Sequence, residues 1–146
     1  MSPIPYFDAH CDTISACASD GRALRENSGH LDLRRMRAFS HPVQIFALWA
    51  DGGDFTECAR QRGVFVEELR KNEDLAVPCA DGDELRAAHA AGKIAALLSI
   101  EGGELLDCDP EKLDIAAAWG VRCVNLTWNH ANGLAGAHGD RPDRGL

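Results

Sequence analysis

His10, Asp12 and Glu101 are the residues whose types and positions best suit metal-dependent chemistry. His10 and Asp12 are two residues apart, so in a strand both side chains project from the same face. An imidazole nitrogen and a carboxylate oxygen suit Zn²⁺ or a similar divalent ion. Glu101 directly follows an apolar segment, where a buried carboxylate needs a partner. The alternatives are a surface histidine near a turn aspartate, and a loop glutamate that reaches solvent.

A second group of polar residues lies in the segment 126–132, whose sequence is LTWNHAN. His130 and Asn132 could hydrogen-bond a substrate carboxylate or carbonyl, and Trp128 could form the wall of a pocket. A purely structural turn of asparagine and histidine is equally compatible with this composition. Four other histidines have no partner at a diagnostic spacing, and we expect them not to be ligands: His30, His41, His89 and His138.

The elements that must position these residues can be read from hydrophobic periodicity. Four short apolar runs predict strands, over residues 5–12, 43–50, 93–101 and 121–128. Helical patterns predict a short helix over 32–39, a helix opened by the cap Asp54, and helices over 83–91 and 109–120. Strands alternating with helices predict a parallel α/β sheet with right-handed crossovers. Such sheets bind ligands at the carboxyl ends of their strands, where the candidate residues lie.

Composition excludes several functional classes. The 146 residues are 45% hydrophobic and 26% charged, which is typical of one soluble globular domain. A net charge of −8 argues against nucleic acid as the main partner. The sequence contains neither a long apolar segment that would predict a membrane span nor a readable signal peptide. The six cysteines form no Cys-x-x-Cys motif, so we expect reduced thiols and a cytoplasmic location.

Five segments in order along the chain resemble the membrane dipeptidase (renal dipeptidase, peptidase M19) family of metal-dependent hydrolases. They are residues 8–13, 31–36, 44–47, 91–103 and 126–132. The resemblance implies a TIM-type (β/α)₈ barrel with a binuclear zinc centre, in which His10 and Asp12 ligate one metal and Glu101 bridges both. It also implies a catalytic role for Glu101, since the bridged metals hold a hydroxide that attacks the scissile carbonyl of a dipeptide.

The resemblance further implies substrates that often carry a D-residue on the C-terminal side, and a homodimer. A substrate-binding histidine of the family falls near Trp128, where His130 and Asn132 are the available candidates.

The length of the chain is short for this architecture, because a complete (β/α)₈ barrel needs about 250 residues. We therefore expect residues 1–146 to be the N-terminal half of a metallodipeptidase barrel, with roughly the first four of eight β/α units. Residues 131–146 are expected to form a loop leading to a fifth strand, and the chain to be truncated. The further histidine and aspartate ligands implied by the family would lie beyond this loop.

Two other interpretations remain open. In the first, the chain is a catalytically incomplete half-barrel that acts as a binding or assembly module. In the second, it is another amidohydrolase-like or phosphoesterase barrel. Those barrels usually carry His-x-His after the first strand, whereas this sequence has Cys11 and Asp12 after His10.

Overall fold

A parallel sheet with helices on its connections is the framework of the chain. The computed structural model describes residues 4–138. The strands are β1 (Pro5–Cys11), β2 (Ser40–Leu48), β3 (Ala76–Pro78), β4 (Ile94–Glu101) and β5 (Val121–Asn125). The helices are α1 (Thr13–Asp20), α2 (Leu33–Met36), α3 (Phe55–Lys71), α4 (Gly82–Ala90) and α5 (Lys112–Ala118), with a 3₁₀ turn at Gly103–Leu106.

Every strand pair in this described part of the chain is parallel. β2 pairs with β1 and with β4. Because β2 occupies one edge of β4, β3 and β5 share the other edge: β3 lies beside residues 94–96 and β5 beside residues 98–101. Four strands therefore lie side by side in the order β1, β2, β4 and β5, and helical connections join them. This arrangement is that of the first part of a TIM-type barrel, and it confirms the predicted fold class.

One face of the sheet packs against helices. Residues paired across parallel strands point to the same face, and the pairs Phe46–Leu98 and Leu48–Ile100 are all buried. The ring of Phe46 lies 5.9 Å from that of Phe65 on α3, which places α3 on this face. Residues alternating with them, including Ser99 and Glu101, therefore face the opposite side, which corresponds to the inside of a TIM-type barrel. At its amino end this side is covered by α4, whose Ala88 packs with Val43 and Ala95.

The predicted element boundaries need several corrections. β3 was not predicted, because a three-residue strand is too short to show a period. α1 was not predicted either, since only Ile14 and Cys17 are buried in a helix rich in small residues. β2 begins at Ser40, and its register is fixed there by a hydrogen bond from Ser40 N to Ile4 O.

The predicted last strand and last helix are both too long. β5 ends at Asn125, so residues 126–128 lie outside it. α5 begins at Lys112 rather than at 109, because Lys112 N first bonds Asp109 O in a tighter turn. In the expected terminal loop, residues 131–138 form neither helix nor strand, and 139–146 lie outside the described residues. No helix within residues 4–138 has the length and apolarity needed to cross a bilayer.

Candidate metal centre

The three predicted ligands come together at the carboxyl end of the sheet. His10 lies on β1, Asp12 follows β1 directly, and Glu101 is the last residue of β4. His10 Nε2 is 3.2 Å from Glu101 Oε2 and 3.3 Å from Asp12 Oδ1. One ligand atom of each residue lies within 4.8 Å of the other two. The fold thus joins residues from two strands that are separated by β2.

A β-bulge in β1 determines that His10 faces this site. Asp8 pairs with Gln44, but Cys11 pairs with Phe46, so three residues of β1 stand against two of β2. With regular pairing His10 would lie opposite Phe46, on the face that packs against helices. The bulge places Cys11 there and turns His10 to the other face. Asp8 Oδ1 accepts a hydrogen bond from His10 N at 3.1 Å and so supports the bulge.

Asp12 reaches the site in a different way from the one expected. It lies beyond the strand and is the N-cap residue of α1, where Ala16 N bonds its carbonyl oxygen. Its side chain makes no capping hydrogen bond. The contact with His10 therefore results from the turn into α1 and not from strand alternation, and the Asp12 carboxylate remains available to a ligand.

The environment of Glu101 favours a bound cation. The side chain is 18% exposed. Burial raises the pKa of Glu101, His10 lowers it, and the nearby Asp12 carboxylate raises it further. Within residues 4–138 no lysine or arginine forms an ion pair with Asp12 or Glu101. One imidazole and two carboxylates without a cationic partner are a donor set that fits a divalent metal.

Gly102 allows Glu101 to end its strand at this point. Its φ is +97°, a conformation that side chains rarely adopt, and a Cβ there would collide with the Glu104 carboxylate. Gly102 N and Gly103 N donate to the carbonyl oxygens of Asn125 and Leu126. The chain can therefore turn at once into the 3₁₀ segment while β4 remains joined to the end of β5.

Trp49 and Gln61, which the sequence patterns did not single out, support the carboxyl end of the sheet beside Glu101. Trp49 follows β2, and continuing the register of Leu48 with Ile100 places Trp49 beside Glu101. The buried Gln61 of α3 fixes the Trp49 backbone, accepting from its N–H at 3.0 Å and donating to its carbonyl at 2.7 Å. The ring of Trp49 packs edge-on against that of Trp128 at 4.9 Å. The only sequence signal for Gln61 is a polar residue on the apolar side of an amphipathic helix.

His130 lies outside the ligand group. Its ring contacts Trp128 at 6.0 Å, and its Nε2 is 3.9 Å from Asp51 Oδ1. Its side chain is 69% exposed, so it is open to a ligand from solvent. Its role in substrate binding stays a prediction.

Asn132 is engaged by its own loop. Its Nδ2 donates to Glu104 Oε2 at 2.7 Å and to Leu126 O at 2.6 Å. Its Oδ1 accepts from Leu134 N and Ala135 N. Both ends of the amide are occupied, so these contacts give Asn132 a structural role in holding the loop against the 3₁₀ segment.

A family model described as Membrane dipeptidase (Peptidase family M19) matches residues 1–145. The chain belongs to this family. A curated relative, the uncharacterized dipeptidase C965.12 of Schizosaccharomyces pombe (strain 972), is 33% identical over 139 residues, which are 82% of this chain. The predicted family resemblance is confirmed.

Two solved structures have the same fold. One is described as dipeptidase AC, a metallopeptidase of family M19; it has a TM-score of 0.81 and 21% identity over 99% of this chain. The other is a metallopeptidase from Rhodobacter sphaeroides bound to a phosphinate mimic of the dipeptide L-Ala-D-Ala, with a TM-score of 0.79 and 20% identity over 99% of this chain.

The match covers only part of each relative. The chain spans 50% and 52% of the two solved structures and 33% of the Schizosaccharomyces pombe protein. M19 membership therefore implies metal use and a dipeptide substrate at the level of the family.

Proposed function

We propose that the M19 protein to which these residues belong hydrolyses dipeptides in a zinc-dependent reaction, with His10, Asp12 and Glu101 as metal ligands. The observation that carries the proposal is the convergence of these three side chains, with ligand atoms within 4.8 Å of one another, at the carboxyl end of a barrel-type sheet. Zinc held there would act as a Lewis acid toward the scissile carbonyl and would lower the pKa of a water molecule.

The chain's own residues have distinct tasks in this proposal. Glu101 would bridge two metal ions, since a carboxylate has two oxygens and its partly buried position limits competition from water. His10 and Asp12 would complete the ligand set of one ion. The half-exposed His10 side chain leaves the centre open on the side from which a substrate would enter. The mimic bound by the Rhodobacter sphaeroides enzyme supports a dipeptide with a C-terminal D-residue as a substrate to test.

Metal binding by the 146-residue chain tests the ligand assignment. Zinc content after equilibrium dialysis is compared between the wild type and Glu101→Gln, which keeps the size of the side chain and removes its charge. Glu104→Gln is the matched control, since Glu104 lies three residues away and outside the ligand group. We expect Glu101→Gln to weaken zinc binding by at least about tenfold, and the control to bind as the wild type does. Equal binding by both variants would contradict the assignment.

A second candidate function is a non-catalytic binding or assembly module. It is favoured by the two outer strands, β1 and β5, each of which pairs with one strand within residues 4–138. Ile4 and Phe7 beside the β1 edge are 66% and 65% exposed. Unpaired edges with apolar side chains favour association, either in the homodimer suggested by the family or with another chain.

Zinc stoichiometry and peptide hydrolysis, measured on the whole M19 protein that contains these residues, separate the two functions. About two zinc ions per chain together with hydrolysis of L-Ala-D-Ala would support the peptidase. One ion or none, with no hydrolysis, would support the module. Light scattering of the same samples measures whether a homodimer forms. The cytoplasmic location stays a proposal, which fractionation of the source cells tests.

A further inference from the structure

A cluster of basic side chains lies at the amino end of the sheet, opposite the candidate metal centre. Arg37 lies in the turn before β2, and His41 lies at the start of β2. His89 is in the last turn of α4, and Lys93 is in the turn before β4. These four side chains line one cavity of about 250 Å³. β4 separates the cavity from Glu101 by seven residues, or roughly 23 Å at 3.3 Å per residue.

No acidic residue lines this cavity. Its other lining residues are Phe39, Ser40, Pro42, Gly92 and Ile94. Arg37 and Lys93 form no side-chain hydrogen bond or ion pair with the residues that the structure describes. Hydrogen bonds from Arg25 and, to a smaller extent, the charge of Arg37 lower the pKa of Asp74. Asp74 is already held by Nη1 and Nη2 of Arg25, each at 2.9 Å. In a chain with a net charge of −8, the Arg37 guanidinium and the Lys93 ammonium beside two imidazoles, without a carboxylate among the lining residues, form a local positive site.

The two histidines are packed together in this cavity without a hydrogen-bonded partner. Their ring centroids are 5.0 Å apart. The Nε2 atom of His89 is buried and lacks a hydrogen-bond partner within residues 4–138. Burial lowers the pKa of His89, and the neighbouring His41 lowers it further. A buried polar atom without a partner is costly. A ligand that accepts a hydrogen bond from this ring and carries negative charge would remove that cost and would favour the protonated form of His89.

The charges around the cavity favour an oxyanion over a divalent cation, although histidines bind both kinds of ligand. A divalent cation also binds imidazole, but here it would lie beside the guanidinium of Arg37 and the ammonium of Lys93 without a carboxylate among the lining residues. An oxyanion would instead lie beside a guanidinium and an ammonium, with the imidazole N–H groups as further donors. The cavity is large enough to hold a phosphate group and is smaller than the usual range for drug-sized ligands.

We propose that the cavity formed by Arg37, His41, His89 and Lys93 binds a phosphate group, either as free inorganic phosphate or on a small organic molecule. Bound phosphate accepts hydrogen bonds from the histidine N–H groups and is oriented by Arg37, whose fork matches phosphate oxygens. The site does not depend on the metal centre or on peptidase activity, because it lies at the other end of the sheet.

Titration of the 146-residue chain with inorganic phosphate tests this site. The Cε1–H resonances of His41 and His89 are followed by NMR at about pH 6, and the affinity is measured by calorimetry. We expect saturable shifts of both histidines as phosphate is added.

Variants distinguish specific binding in the cavity from a general attraction of anions to positive charge. Arg37→Ala and Lys93→Ala are each expected to weaken phosphate binding by about tenfold. Arg86→Ala is the matched control, because Arg86 is on the same helix as His89, pairs with Asp83 and does not line the cavity. Melting curves of all three variants establish that each is folded. Tighter binding of phenyl phosphate than of inorganic phosphate would assign the site to an organic phosphate, and the reverse order to the free ion.

Three results would overturn the proposal. The first is the absence of saturable histidine shifts in the wild type at about 10 mM phosphate, far above the millimolar affinities of weak sites. The second is an equal loss of affinity in Arg86→Ala. The third is a shift of both histidines by Zn²⁺ at concentrations where phosphate has no effect, which would make the pair a cation site.

Discussion

Gln61 offers the sharpest test of how this fold supports its candidate site. The side chain is 2% exposed and connects α3 to the end of β2 and to α1. Its Oε1 accepts from Trp49 N at 3.0 Å and from Ser15 Oγ at 3.0 Å. Its Nε2 donates to Trp49 O at 2.7 Å and to Glu57 Oε1 at 2.8 Å. One amide thus satisfies the backbone of the residue that lies beside Glu101.

Two substitutions remove different parts of this network. Gln61→Leu takes away these contacts, and the Trp49 N–H loses this acceptor. The Ser15 hydroxyl, whose single proton is shared between Gln61 Oε1 and Trp49 O, can still donate to the Trp49 carbonyl. Leaving a buried peptide group unsatisfied costs about 1–3 kcal/mol, and the other bonds add about 1 kcal/mol, offset in part by the apolar side chain. We expect the free energy of unfolding to fall by about 2–3 kcal/mol.

Gln61→Glu keeps the shape of the side chain but replaces the Nε2 donor with an oxygen. That oxygen would face the carbonyl of Trp49 and the carboxylate of Glu57, so a buried charge would have no donor on this side. We expect a loss of about 3–5 kcal/mol near pH 7, larger than for Gln61→Leu. The loss should shrink in acid, where the introduced carboxyl is protonated and can donate.

Urea denaturation followed by tryptophan fluorescence measures both effects. Glu67→Leu on the same helix is the control, since its exposed ion pair with Arg70 is worth at most about 1 kcal/mol. A Gln61→Leu variant within about 0.5 kcal/mol of the wild type would refute the reasoning. So would a Gln61→Glu variant more stable than Gln61→Leu at neutral pH.

Three further predictions concern stability and thiol reactivity. Buried Asp32 has its pKa raised by burial but lowered on balance by hydrogen bonds from Arg35, so Asp32→Asn should cost about 2–3 kcal/mol at neutral pH. Because the folded pKa is the lower one, this difference should persist above about pH 4 and disappear as the pH falls further, which urea melts across pH will measure. Asp54→Ala removes the cap that accepts from Glu57 N and should cost about 1 kcal/mol, measured by the thermal midpoint, with little change contradicting the cap. Burial raises the pKa of Cys58 to about 12, so iodoacetamide at pH 8 should label exposed Cys123 well before Cys58 in the native chain, as mass spectrometry will show; equal rates would contradict the packing of α3.

The sequence determined the parts of this protein that depend on local pattern. Continuous apolar runs locate β2 and β4, because strands buried on both faces show no alternation. Asp54 marks the start of α3, since its side chain satisfies a free N–H of the first turn. The three ligand candidates were found because each stands at a strand end, and the order of matching segments identified the family.

Only the tertiary structure decided how those parts meet. The bulge in β1 depends on pairing with β2, and without it His10 would face the helices instead of Glu101. The hydrogen bonds of the Asn132 amide to the 3₁₀ segment and to its own loop appear only in the fold, and the role of Asn132 in substrate binding stays a prediction. Gln61 and the basic cavity at the amino end of the sheet likewise join residues from separate elements. Such contacts depend on strand register and on the packing of distant segments, which no local pattern in the sequence specifies.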